Sequence, residues 1–206
     1  LGEAIAREPA AIFLADHGAF DGTEREGREA WLEEGGLLVR FAGPRLAAAV
    51  SEAALGASVA MTGEDALLPV RLRRGGRSLG GALAWGDPRR LGPFDAQGPF
   101  RRLEAPDEVD VKTQVLAEPS PDLAGKVWAT LDDGTPLVTA AERGEGRVVL
   151  FHVSADAEWS SLPLSGLFVE MLGRLIAVAP GQAGGAPEAE DLADTLWRLD
   201  EVVSAE

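Results

Sequence analysis

Residues 37–49 read "LLVRFAGPRLAAA". An apolar run from Leu37 to Phe41 meets Gly43-Pro44 and then turns into an alanine-rich segment. Proline suits the first turn of a helix, so the stretch reads as a strand, a sharp turn and a helix. Hydrolases and amidotransferases hold a nucleophile on such a turn, and that requires Ser or Cys at its tip. Here the tip is Phe41-Ala42-Gly43-Pro44-Arg45. The first four residues carry no nucleophilic side chain, and arginine stays protonated. The turn therefore reads as a structural crossover.

The pattern repeats on its N-terminal side. "AIFLAD" (11–16) is a short apolar run ending in Asp16, and "GTEREGREAWLEEG" (22–35) is helical. Thr23 is placed to cap that helix, with Glu26 completing a capping box. Residues 45–56 form the next helix, with Leu46, Val50, Ala53 and Ala54 on one face. Strand, helix, strand, helix points to a parallel sheet with helices on its faces.

From 62 to 125 the chain is rich in Gly, Pro and Arg, with short strand-like runs: "LLPVRL", "SLGGALAW" and "EVDVKTQVLAE". These read as a β-rich insertion joined to the sheet. "KVWATLDDGTPLVTA" (126–140) reads as a hairpin around Asp132-Asp133-Gly134. The α/β pattern resumes at "GRVVLFHVSAD" (146–156). "LPLSGLFVEMLGRLIAVA" (162–179) is then an apolar helix, with Ser161 as its cap and Pro163 in its first turn. Glu170 and Arg174 inside it favour a core helix over a membrane span. The domain thus covers 1–179. Residues 180–190 read as a linker and 191–206 as a C-terminal amphipathic helix.

Composition excludes several chemistries. The 206 residues contain no Cys, hence no disulfide, thiolate metal site or cysteine nucleophile. The net charge of −15 excludes nucleic acid as the main partner. The first residue is Leu rather than Met, as expected of a piece of a longer protein.

Two histidines lie at strand ends, His17 in "LADHGAF" and His152 in "VVLFHVSAD". Carboxyl ends of parallel strands share one edge, where ligands bind. Asp16, His17, His152, Ser154 and Asp156 are therefore the candidate ligand-binding set, against the plainer reading of a polar rim. No HxH or HExxH spacing marks a metal site, and none is expected. "RGEGRVV" (143–149) precedes its strand, the wrong order for a phosphate loop, so it reads as a hairpin turn and no cofactor is expected. Between 71 and 102, eight arginines face two aspartates, a net +6. Arg71, Arg73, Arg74, Arg77, Arg89 and Arg90 are the candidate partner-binding residues. Pairing with the chain's own carboxylates is the simpler alternative.

"EGGLLVRFAGPRL", "LGGALAW" and "DDGTPLVTAAERGEGRVVLFHVSADAEWSSLPLSGLFVEMLGRL" resemble a group of large bacterial inner-membrane proteins. These carry an aerotolerance-regulator (Bat-type) membrane region and a soluble domain similar to class I glutamine amidotransferases. The resemblance covers about 5–178. It implies a flavodoxin-like, amidotransferase-like three-layer sandwich with a mainly parallel sheet. It also implies a membrane-anchored parent, whose other domains and a MoxR-type ATPase system are the expected partners. The amidotransferase mechanism needs a Cys at the elbow and a later His-Glu pair. There is no Cys, and Val153 follows His152 with no Glu two residues on. The expectation is a non-catalytic domain for protein interaction or ligand sensing. The alternative is a metal-dependent or acid–base hydrolase built on Asp16, His17, His152 and Asp156. A sugar- or nucleotide-binding sensor using the same edge is a third reading.

Overall fold

The structure is a computed structural model and describes residues 9–54, 65–79 and 86–179. The linker 180–190, the helix expected over 191–206, and residues 80–85 of "SLGGALAW" lie outside the described residues.

The first two strands are β1 (Ala11–Ala15) and β2 (Leu37–Phe41), each followed by a helix: α1 (Gly22–Glu33) and α2 (Pro44–Ala54). Short strands β3 (Arg77–Ser78), β4 (Arg89–Phe94), β5 (Asp110–Val111) and β6 (Thr113–Gln114) come next. A 3-10 turn (Leu123–Lys126) leads into β7 (Val127–Leu131), β8 (Pro136–Arg143) and β9 (Gly146–Phe151), and α3 (Gly166–Ala177) closes the order.

Seven strands form one sheet in the order β1-β2-β9-β8-β7-β4-β5. β1, β2 and β9 are parallel, with Leu14 beside Arg40 and Arg40 beside Leu150. From β9 to β5 every pairing is antiparallel. The parallel part thus ends at β9, because two tight hairpins join β7, β8 and β9, and a hairpin can only reverse direction. Both hairpin turns expected from sequence are present, with Gly134 and Gly144 at positive φ. The insertion joins the sheet through β4 and β5, while β3 and β6 form a separate ribbon. "LLPVRL" contributes only a bridge from Leu72 to Ala117.

Alternation along β2 and β9 splits the core between the two faces. Leu37, Val39, Phe41, Val149 and Phe151 pack against Leu167, Met171, Leu172 and Leu175 of α3. Leu38 and Val148 meet Trp31 and Leu32 of α1, and Leu150 meets Leu46 and Val50 of α2. The chain is therefore an α/β protein with helices on both faces of a mixed sheet.

Helix caps differ from expectation. Asp21, in an extended conformation, accepts from Glu24 N at 2.8 Å, so α1 starts ahead of Thr23 and the capping box is not used. Ser165, not Ser161, caps α3, since Leu162–Leu164 form a separate 3-10 turn. The Ser161 hydroxyl instead accepts from Asp110 N and donates to the Glu108 carbonyl.

Candidate functional site

The parallel strands β1, β2 and β9 deliver three loops to one edge. After β1 the chain reverses at Asp16, which takes a left-handed φ of 42°, a conformation that Asp tolerates. Its carboxylate then reaches the start of α2. Oδ1 accepts from Arg45 N at 2.9 Å and Leu46 N at 3.1 Å, and Oδ2 accepts from Arg45 N at 3.1 Å. Free amides at a helix start attract an anion. Here the chain supplies that anion itself. Gly43 makes the approach feasible: a Cβ there would lie 2.2 Å from Asp16 Cγ. The Gly-Pro turn that looks catalytic in sequence is shaped by this cap.

His152 leaves the edge altogether. Its side chain continues the β9 alternation onto the α2 face and is fully buried. Nδ1 lies 2.8 Å from the Val115 carbonyl, which only accepts, so Nδ1 carries the proton. Nε2, 3.0 Å away, then accepts from the Thr139 hydroxyl. Burial pulls its pKa down to about 4, although the Val115 carbonyl acts in the opposite direction. The ring is neutral and both its nitrogens are occupied.

His17 is half-buried and stacks on Phe20 with ring centroids 4.2 Å apart at 13°. Burial lowers its pKa first, the Gly18 carbonyl raises it, and the cationic Arg40 and Arg28 lower it further. Its hydrogen-bond and ring partners are distinct from those of His152. Among the described residues, no group of three or more His, Cys, Asp and Glu could hold a metal. Ser154 and Asp156 are brought together locally: the Ser154 hydroxyl donates to Asp156 Oδ1 at 2.7 Å, and Glu158 N donates to the same oxygen. That arrangement is a turn.

Two groups that sequence reading passed over dominate the α1 side. Arg40 stands mid-strand in β2, 1% exposed. Its Nη1 donates to the Leu67 carbonyl at 3.1 Å and its Nη2 to the His17 and Gly18 carbonyls at 2.8 and 2.9 Å. It clamps the loop after β1 and the 65–70 segment onto the sheet. Burial drives its pKa down to about 10, while the Asp65 charge supports the cation. Arg28 is as deeply buried, yet only its Nη1 has an acceptor at hydrogen-bond distance, the Glu24 carbonyl at 2.9 Å. Among the described residues, Nε and Nη2 of Arg28 have no hydrogen-bond partner. Both guanidiniums lie over Phe20, at 4.3 and 4.9 Å from the ring centroid. A charged residue inside "LLVRF" was the available signal.

The six insertion arginines divide into two groups. Arg77 is bound by Asp133 and Thr135 of the β7–β8 turn and by Gln114 of β6. Burial raises the Asp133 pKa, but the Arg77 and Thr135 hydrogen bonds outweigh it and hold the carboxyl at about 2. Arg89 lies near Asp132 and Asp133, and Arg90 near Asp107. Self-pairing thus accounts for three of the six. Arg71, Arg73 and Arg74 are exposed and form no ion pair with a described residue. Arg71 borders a cleft of about 500 Å³, whose walls also carry Lys126, Arg143, Asp65, Glu118 and Asp122.

No protein-family model matches the chain, and no curated protein does. Among solved structures it is similar to the Cytoplasmic Protein STM3548 from Salmonella typhimurium, with a TM-score of 0.63 and 14% identity. That alignment covers 86% of this chain and 74% of the other. It is also similar to the Cytoplasmic Protein STM1381 from Salmonella typhimurium LT2, with a TM-score of 0.60, 15% identity and the same coverages. At such identities the likeness shows the α/β fold alone. No helix among the described residues is long and apolar enough to cross a membrane.

Proposed function

We propose that this chain is a non-catalytic, amidotransferase-like domain of a membrane-anchored bacterial protein, and that it acts in protein interaction or ligand sensing. The observation that carries the reading is the Asp16 carboxylate on the amides of Arg45 and Leu46. A helix start at such an elbow stabilises charge on a substrate only if its amides are free. Here they already have an acceptor, and Ala42-Gly43 offers nothing to attack with. His152 supports the same reading, since a buried neutral imidazole with both nitrogens bonded cannot shuttle protons. The contact surface falls to the groups left over. Arg71, at the cleft, and the exposed Arg73 and Arg74 next to it in sequence offer three cations without an ion pair among the described residues, suited to an acidic partner or ligand.

The test has two arms. Purified protein supplied with glutamine should release no ammonia above the buffer background, and sustained release would overturn the non-catalytic reading. Replacing Arg71, Arg73 and Arg74 together by Glu should abolish co-purification of the parent protein with its membrane partners, while thermal unfolding stays cooperative. Unchanged co-purification would remove the arginines from the contact surface.

A further inference from the structure

The two ends of the seven-stranded sheet differ. At one end β5 is two residues long, and Val111 is closed off by a bridge to Ser160. At the other end β1 runs five residues, with β2 as its one neighbour among the described strands. The ladder to β2 uses the Ala10 carbonyl, accepting from Leu37 N, and Asp16 N, donating to the Phe41 carbonyl. Alternation then turns the N–H and C=O of Ala11, Phe13 and Ala15 outward, away from β2. Among the described residues nothing pairs with them there. Exposed edges are normally guarded by charge, proline or a bulge, and "AIFLA" has none of these. Ala11 and Phe13 pack on one core and Ile12 on the other, each partly exposed at the edge.

We propose that β1 is a self-association edge, at which two copies of the chain pair antiparallel about a twofold axis through Phe13. An isologous contact requires a self-complementary surface. In this register Ala11 faces Ala15 of the second copy, Ile12 faces Leu14, and Phe13 faces itself. The outward residues become hydrogen-bonded pairs, each exchanging two bonds, roughly six in all. Charge selects this strip. On a chain of −15 most faces bring carboxylates together, but residues 9–15 carry no charge. Asp16 and His17 lie past the reversal that follows Ala15, outside the paired strip, so no like charges oppose each other within the ladder. Pro9 ends the ladder, because it has no N–H to give.

Light scattering on the size-separated 206-residue protein over a concentration series tests the inference. The wild type should be dimeric. The double variant Ala11→Lys/Ala15→Lys puts lysine opposite lysine at both ends of the ladder and should weaken dimerisation roughly tenfold. Ala11→Lys/Ala15→Glu puts lysine opposite glutamate and should restore it. A wild type monomeric at every concentration overturns the inference. So does a Lys/Lys variant that dimerises like wild type, or a folded Lys/Glu variant that stays monomeric. If the Lys/Lys variant does not fold, hydrogen exchange of wild type decides. Protection of the Ala11, Phe13 and Ala15 amides that rises with protein concentration supports pairing between copies. Protection or exposure independent of concentration overturns it.

Discussion

Lowering the pH should destabilise this protein through His152 in particular. An unfolded chain binds a proton at this imidazole near its ordinary value of 6.5, whereas the folded chain does so only near 4. Between those values the unfolded state holds more protons, so stability rises with pH across the window and is lost on acidification. Each pH unit of the gap is worth about 1.4 kcal/mol, so His152 should remove about 3 kcal/mol between neutral pH and pH 4. The cause is physical. The ring has no charged partner, the Val115 carbonyl already holds the Nδ1 proton, and a proton on Nε2 would point at the Thr139 hydroxyl. That hydroxyl would have to turn and give up its own bond to the ring.

Carboxylates also respond to acid, so a comparison isolates the histidine. His152→Gln removes the titrating group and leaves the others in place. Urea unfolding followed by tryptophan fluorescence should show the wild type losing about 3 kcal/mol of its advantage over the variant between pH 7 and pH 4. Parallel stability curves for the two proteins would refute the reasoning. So would an imidazole resonance of folded His152 that titrates near 6.5.

Four further outcomes follow from the contacts described above. Gly43→Ala should cost about 1–2 kcal/mol in urea unfolding, the worth of a helix cap, because the new methyl displaces the Asp16 carboxylate. Arg40→Met should cost about 2–4 kcal/mol, since it strands the Leu67, His17 and Gly18 carbonyls. Arg28→Met should be neutral within about 1 kcal/mol or stabilising, because two of its buried nitrogens lack hydrogen-bond partners among the described residues. A double-mutant cycle on Arg77 and Asp133 should give a coupling of about 1 kcal/mol at neutral pH. That coupling should fade as pH falls from 3.8 towards 2, where Asp133 becomes protonated in the folded state.

The parallel half of the fold was legible because its information is local. β1, β2 and β9 are short apolar runs, and α1 and α2 show helical spacing beside them. The insertion was legible only as β-rich, since β4 gains its place from β7, far along the chain and with a register shift between them. A pairing of that kind leaves no periodic trace in either strand. The site was half legible. Strand ends named Asp16, His17 and His152, but a strand end does not say which way a side chain points. Alternation does: counting on from Val148 and Leu150 puts His152 beneath α2 and not at the rim. The same count puts Arg40 on the α1 face with Leu38. A cation there is tolerable only if loops turn carbonyls towards it, and loop geometry is what residue types do not encode. The elbow shows the limit most clearly. Gly43 looks like a residue making room for a substrate, and Asp16 looks like a residue offering chemistry. Together they satisfy each other: the missing Cβ admits the carboxylate, and the carboxylate fills the helix start that the missing Cβ exposes. Neither residue can be interpreted alone, so substitution at one should change the tolerance of the other.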